Sequence, residues 1–492
     1  MCRDGGALVA PFLTSIRCGV KVQLMRSLAF CLLSALISAP ANAADTDREL
    51  IFLILLDAVR ADAIGSYGYD KPTSPVLDRF AEKGVRYTRM YVNAPWTRPS
   101  TASFFSGLNA SRHGAQTAKT KLPKGTRTLA RRLREAGWRT TGFSANGNGG
   151  SLANLDEGFH LYEDPSNTYK RKETRKRCKK KYGKTVPAEK HDEAIREDCI
   201  RYVGLPTGEF IAHRTLEHLK TSKAKREFIF LFLVDPHDHK LTYFAPPRLE
   251  EMFLGHPAPK KRPKVVWEKD NDYSDEHRRI VRALYDAGIR YSDEALGQLF
   301  EGLGEEQLKN TSFLITADHG EGFGEHGFYL HAHHFWQEII HVPLIAVGPK
   351  FKPGVDDRLT QSLDVTSTIL DLAGADRSGL PGRSLLEPER HDYIISEYNE
   401  FGIRRQAIIG ERYKVIWQRP VDEKWYMSSF SDRFTPAQKK EFFPSASFGK
   451  EKVQVFDLKK DPGEKKDLAT AMPSEAAELL KTLRAFVAAS DT

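Results

Sequence analysis

The chain has 492 residues, 40 % of them hydrophobic, and a formal net charge of +9. Such length and apolar content exclude a disordered chain and leave room for a large core plus a smaller subdomain. The charge does not mark a nucleic-acid binder, because Lys170–Lys184 alone carries ten basic residues against Glu173, and no base-reading motif accompanies it.

In chain order, the first feature is MRSLAFCLLSALISAPANA, from Met25 to Ala43. A basic start, an apolar stretch and the small-residue ending Ala41-Asn42-Ala43 form the pattern of a secretory signal. Residues 1–43 are expected to be a signal peptide, with Met25 the expected true start and the mature protein periplasmic or secreted. An uncleaved anchor is the alternative, and the shortness of the apolar run argues against it.

Short, nearly unbroken apolar runs follow: IFLILLD (51–57), TTGFSAN (140–146), FIFLFLVDPH (228–237), SFLITADHG (312–320) and HVPLIAVGP (341–349). Runs of this kind, without alternation, suit strands buried on both faces of a parallel sheet. Helical patterns separate them: SPVLDRFAEKG, TRTLARRLREAG and the long stretch RRIVRALYDAGIRYSDEALGQLFEGL. The alternation predicts an α/β domain over 44–390, with a large, mostly parallel central sheet flanked by helices. In such sheets ligands bind beyond the carboxyl ends of the strands, where Asp57, Asp235, His237, Asp318 and His319 fall.

Between the second and third of the named apolar runs the chain carries a basic insertion, 163–207. Its cysteines, Cys178 and Cys199, are the two that remain once the signal is removed, and an exported protein with two cysteines favours one disulfide. That bridge would contribute on the order of 3 kcal/mol; two free thiols are the alternative. The basic run 170–184 reads as a solvated loop or as a contact for polyanions. From residue 391, IIGERYKVIWQ and KVQVFDL read as antiparallel strands and SEAAELLKTLRAFVAAS as a closing helix, which predicts a smaller α+β subdomain over 391–492.

PWTRPSTASFF (95–105) reads as the start of a helix, with Thr97 at the N-cap and Pro99 in the first turn. A hydroxyl at a helix N-terminus is also well placed for attack on an anionic ester. Asp57, Asp318 and His319, each at a strand end, offer two carboxylates and an imidazole to one divalent cation, which would ease deprotonation of such a hydroxyl. Taken singly, Asp57 reads equally as a turn former and Asp-His-Gly as a tight turn. The segment DHGEGFGEHGFYLHAHHFWQE crowds His319, His326, His331, His333 and His334 with Glu321, Glu325 and Glu338. That density points to a phosphate or sulfate cleft rather than to packing. In DPHDHKLTYFAPP, His237 is placed to protonate a leaving oxygen or to hold an anionic one, while His239 reads rather as a surface residue.

Seven segments, in order from about residue 50 to 470, resemble the sulfatase family of the alkaline-phosphatase superfamily: LLDAVRADAIGSYGY, PTSPVLDRFAEKGVRYTRMYVNAPWTRPSTASFFSGL, TADHGEGFGEHGFYLH, HVPLIAVGP, DVTSTILDLAGA, LPGRSLL and VFDLKKDPGEKKDLA. The resemblance implies an α/β domain with a C-terminal subdomain, one divalent metal, and hydrolysis of sulfate or related esters through a covalent intermediate. It makes Asp57, Asp318 and His319 metal ligands, Thr97 the nucleophile, His237 a contact to the leaving oxygen, and Asn146 and His331 residues of the anion pocket. Two departures stand out. Formylglycine sulfatases need Cys or Ser in a Cys/Ser-x-Pro-x-Arg pattern, where this chain has Thr97-Arg98-Pro99-Ser100-Thr101. The family's paired aspartates at the first strand end are here Asp57-Ala58.

The expectation is a hydrolase of an anionic sulfate, phosphate or phosphonate ester, with Thr97 attacking directly and calcium, manganese or magnesium bound. A headgroup transferase acting on an envelope lipid or glycan, and a catalytically silent glycan binder, are the alternatives from other classes.

Overall fold

A computed structural model describes residues 48–166, 176–177, 179–181, 206–238, 243–265, 273–400, 402–429 and 448–490. The expected signal peptide, the Cys178–Cys199 pair, most of the basic insertion and His239 lie outside the described residues.

The apolar runs become strands β1 (Glu49–Leu56), β3 (Arg139–Ser144), β5 (Arg226–Leu233), β6 (Thr311–Ala317) and β9 (His341–Val347), with β2 (Val85–Tyr91), β4 (Leu161–Glu163), β7 (Gly322–Phe323), β8 (Tyr329–Leu330), β10 (Gly354–Asp356) and β11 (Thr360–Gln361) between and after them. The main sheet has the order β10-β2-β9-β6-β1-β5-β3-β4, and β11 also pairs with β2. Its centre is parallel, and β1 is buried from Leu50 to Leu56, as strands covered on both faces must be. The helix Asp275–Lys309 covers one face. Phe300 on it stacks on Phe80 of the helix Pro75–Ala81 at 4.1 Å and meets Phe313 of β6 edge-on at 5.3 Å. Each such aromatic pair adds about 1 kcal/mol beyond the area it buries.

One strand runs against the rest. HVPLIAVGP reads as another strand of a parallel sheet, yet β9 is antiparallel to both β6 and β2. A parallel return needs a crossover to the far end of the sheet. The chain from Asp318 to Ile340 instead stays at the end where β6 finished, so β9 comes back beside it as the second arm of a long hairpin. The histidine-rich segment is the loop of that hairpin.

VRYTRMY, now β2, lacks the unbroken apolar character of the central strands. Arg86, Thr88 and Arg89 are only half-buried, as suits a strand near the sheet edge.

The C-terminal segment forms an antiparallel meander of β12 (Tyr393–Glu400), β13 (Ile403–Gly410), β14 (Tyr413–Gln418) and β15 (Lys452–Asp457). Period-two alternation divides its side chains. Ile394, Ile409, Ile416 and Phe456 join the main core, whereas Ile395, Ile408, Val415 and Val455 pack against Ala476, Leu480 and Leu483 of the helix Ser474–Ser490. Polar groups of the meander also brace the histidine-rich loop. Arg405 donates to the His333 carbonyl, and buried Lys414 donates to Phe335 O at 2.6 Å while pairing with buried Glu464 at 2.5 Å.

Candidate active site

The register of the central strands brings the chemistry together. Leu56 pairs with Leu233 on one side and with Ala317 on the other, so the residues that follow them, Asp57 and Asp318, emerge level at the carboxyl edge of the sheet. Asn146 follows β3, and Thr97 opens the first helix after β2, at the same edge.

Each carboxylate is half satisfied. Asp57 Oδ2 accepts from Asn146 Nδ2 at 2.7 Å, and Asp318 Oδ1 accepts from the backbone N–H groups of Ala58 at 3.2 Å and His319 at 3.0 Å. The other oxygens, Asp57 Oδ1 and Asp318 Oδ2, are buried without a hydrogen-bond partner. His319 Nδ1 donates to the Gly320 carbonyl at 2.9 Å, which turns Nε2 towards Asp318 Oδ2 at 3.3 Å and Asp57 Oδ1 at 3.6 Å. Burial first, then the neighbouring His331, holds the His319 ring well below its usual pKa, so Nε2 carries a lone pair. Burial raises Asp57, and burial with the Asp57 charge raises Asp318 well above the carboxylate range. Two buried carboxylate oxygens and an imidazole lone pair facing one another form an arrangement that a cation satisfies.

Thr97 is buried and its Oγ1 lies 3.3 Å from His319 Nε2. The N-cap expectation for it is corrected: Trp96 occupies the N-cap of the helix Thr97–Ser106, no side chain caps that end, and Thr97 is the first helical residue. Extended backbone at Trp96 lets its own carbonyl take the first helical bond, from Ser100 N–H at 3.2 Å, and this leaves the Thr97 hydroxyl free for the cleft. Ala58, in place of a second aspartate, has φ 61°. That left-handed backbone points its N–H at Asp318 and its carbonyl at the Tyr285 hydroxyl, 2.9 Å away, so the position supports the ligand set through main chain alone.

The sulfatase family model matches residues 49–375, more than half of the chain. The protein belongs to the sulfatase family. Among its relatives, the Delta 4,5-hexuronate-2-O-sulfatase of Bacteroides thetaiotaomicron is 24 % identical over 477 residues, covering 88 % of this chain and 87 % of that protein. Two solved structures share the fold. The phosphonate monoester hydrolase of Agrobacterium radiobacter aligns with TM-score 0.63 and 19 % identity over 90 % of this chain and 95 % of that one. A second, solved in complex with its substrate D-glucosamine-2-N,6-O-disulfate, aligns with TM-score 0.65 and 16 % identity over 90 % and 98 %. The chain is thus an ester hydrolase of a metal-dependent superfamily, and Asp57, Asp318 and His319 form a donor set that fits such a metal.

The remaining sequence-predicted residues of this sulfatase-family protein divide between the cleft and the scaffold. His237 and His331 face the same cleft, their rings 5.0 Å apart, and His331 stacks on His319 at 4.1 Å. Burial opposes a charge on His237, but Asp57, Asp238 and Glu321 outweigh it and push its pKa up to about 10. Asn146 reaches Asp57 rather than open space, and its Oδ1 accepts from Asn148 N–H at 2.9 Å. Asp235, at the end of β5, turns away, accepting from Gly208 N–H and from Ser292 Oγ.

Histidine density overstated the site. His326 bonds Glu338 at 2.6 Å, His333 bonds the Tyr398 hydroxyl at 2.7 Å and His334 sits against Arg405, so these three join the loop to its surroundings and only His319 and His331 enter the cleft. Sequence reasoning assigned no role to Glu321, which is fully buried and holds His331 Nδ1 at 3.0 Å while accepting from the Tyr243 hydroxyl at 2.9 Å. An acidic residue two places after a metal-ligand histidine, among glycines, was the available signal.

Proposed function

We propose that this sulfatase-family protein is an exported hydrolase of anionic esters, with phosphate and phosphonate esters preferred over sulfate, in which Thr97 Oγ1 is the direct nucleophile. The observation that carries the reading is the buried Thr97 hydroxyl beside His319 Nε2 and two donorless carboxylate oxygens. Asp57, Asp318 and His319 would hold a divalent ion, which would supply Lewis acidity for the Thr97 hydroxyl and positive charge for the ester.

The chain's own groups do the rest. Asn146 fixes Asp57, and Ala58 N–H with His319 N–H fixes Asp318, so the ligand shell needs little reorganisation. Thr97 loses its hydroxyl proton to water and its oxygen bonds to phosphorus as the bond to the leaving oxygen breaks. His237 gives its proton to that oxygen, then takes one from the water that displaces Thr97 from the phosphoryl group, and the released Thr97 oxygen recovers its proton from solvent. The sum is ester plus water to alcohol plus phosphate. A threonine Cβ carries a methyl group, so oxidation there cannot yield the aldehyde of formylglycine, and a sulfated threonine lacks the easy release which that aldehyde provides. This favours phosphorus.

Members of the family and of the fold act on a sulfated hexuronate, a sulfated glucosamine and phosphonate monoesters, so a sugar-linked or lipid-linked anionic ester is the proposed substrate class. The complete ligand set favours an enzyme over a silent binder. Paired aryl phosphate, phosphonate and sulfate esters test the reading: phosphorus esters are expected to turn over faster, and turnover of sulfate alone would contradict it. In the same panel, His237→Gln is expected to slow alkyl esters by about 10²–10⁴-fold. Its effect on nitrophenyl esters, whose leaving group needs no proton, should be much smaller. An equal loss on both would remove His237 from the leaving-group side.

A further inference from the structure

The family pattern places an arginine four residues after the nucleophile, where this chain has Thr101, whose hydroxyl oxygen is buried without a hydrogen-bond partner. The arginine of this segment is Arg98, directly after Thr97. It is 6 % exposed, and its guanidinium donates to four neutral oxygens: Nη1 to the carbonyls of Thr117 at 3.3 Å, Ala118 at 2.5 Å and Thr120 at 2.9 Å, and Nη2 to Asn148 Oδ1 at 2.9 Å. We infer that Arg98 and Asn148 are positioning residues, which tie the helix that carries Thr97 to the metal ligand Asp57 and keep the two aligned. The inference rests on the reading of Thr97 as nucleophile and Asp57 as ligand.

The tie runs through three hydrogen bonds. Arg98 holds the Asn148 side chain, the Asn148 N–H donates to Asn146 Oδ1 at 2.9 Å, and Asn146 Nδ2 donates to Asp57 Oδ2 at 2.7 Å. Each link sets the next. With Oδ1 engaged by a backbone N–H, the Asn146 amide presents its NH₂ to Asp57, whereas a turned amide would set oxygen against carboxylate. Asp57 Oδ1 is then directed at His319 Nε2, 3.6 Å away, and the same nitrogen lies 3.3 Å from Thr97 Oγ1. The path from Thr97 through Arg98, Asn148, Asn146, Asp57 and His319 thus closes on Thr97.

The composition of the turn explains why it needs a side-chain anchor. In Asn146-Gly147-Asn148-Gly149-Gly150 three of five residues are glycine, which leaves the backbone more freedom to lose on ordering. Asn148 carries the one side chain between Asn146 and Ser151, and it is the side chain that Arg98 holds. The Tyr162 hydroxyl also fixes the turn, at the Gly149 carbonyl 2.6 Å away, but from β4 and not from the nucleophile helix.

Asn148→Ala, Arg98→Lys and the double variant test the inference, through kcat and KM on an aryl phosphate, manganese affinity of the metal-free protein by calorimetry, and thermal unfolding. Asn148→Ala is expected to lower kcat by about 10–100-fold, the range for loss of an outer support of a metal ligand, and to weaken manganese binding, with KM and the unfolding midpoint near the parent values. Lysine keeps the charge of Arg98 but not its planar fork, so Arg98→Lys should show a similar loss. Because the two residues act along one path, the double variant should be no slower than the slower single variant. Parent-like kcat and manganese affinity in Asn148→Ala would overturn the inference, as would losses that multiply in the double variant or an Arg98→Lys protein altered only in its unfolding midpoint. A Thr97→Ala enzyme that keeps most of its activity refutes the nucleophile reading instead, and manganese affinity tells the two failures apart, since it reports on the tie to Asp57 whatever the nucleophile is.

Discussion

Thr97→Ala is expected to lower kcat/KM on an aryl phosphate by on the order of 10⁴-fold or more, the range seen when a covalent nucleophile is removed. The fold should not suffer in step. The Thr97 side chain caps no helix, its hydroxyl lies 3.3 Å from His319 Nε2 beside Asp318, and alanine suits a first helical turn. Thermal unfolding beside the kinetics separates the two effects. Thr97→Ser restores the hydroxyl without the methyl group and should retain turnover, since nothing else at the helix start changes. A Thr97→Ala enzyme that keeps most of its activity would reassign the nucleophile to water.

Asp318→Asn is expected to move activity and stability in opposite directions. Loss of the charge removes a metal ligand, so turnover should fall to the level of the metal-free protein. In the absence of metal, however, Asp318 Oδ2 is a buried, donorless oxygen facing Asp57 Oδ1, and an amide nitrogen there would donate to it. Relieving such a group should raise the stability of the metal-free protein by about 1–3 kcal/mol, measured by urea unfolding in chelator. The pH dependence has a definite sign. Folding raises the Asp318 pKa above the ordinary value of 3.8, so the folded state binds more protons than the unfolded one between the two values. Metal-free stability contributed by this group therefore rises as pH falls through that window and is lost as pH rises through it. Metal affinity runs the other way, since protons compete for the ligands as pH falls. A variant less stable than the parent in chelator would show that the carboxylate is satisfied without a cation.

The strands at the centre of the sheet were legible because full burial leaves no polar face: IFLILLD and FIFLFLV cannot sit anywhere but inside. β2 was not, since Arg86, Thr88 and Arg89 dilute its pattern at a half-covered position. The direction of β9 was not legible either, because a buried apolar run carries no record of its orientation, and only the connection at one end of the sheet decides it. In the cleft, Asp57, Asp318, His319 and Thr97 lie at one edge because β1 and β6 end in register there and the helix Thr97–Ser106 starts beside them, and their family spacing made them readable together. What spacing could not separate was a histidine that faces the cleft from one that binds a neighbouring loop. His326, His333 and His334 look like His331 in sequence, but they are turned to Glu338, Tyr398 and Arg405 while His331 lies against His319 and His237. Two of those partners, Tyr398 and Arg405, come from the C-terminal meander, which no local pattern reveals.

The central claim is that Thr97 itself takes the transferred group. Rapid acid quench during turnover of an aryl phosphate, followed by proteolysis and mass analysis of the peptide that carries PWTRPSTASFF, tests it most directly. The predicted result is a phosphoryl group on Thr97 in the parent, absent before substrate is added and absent in Thr97→Ala. An unmodified peptide under conditions where His237→Gln has slowed release, together with turnover that survives Thr97→Ala, would contradict it.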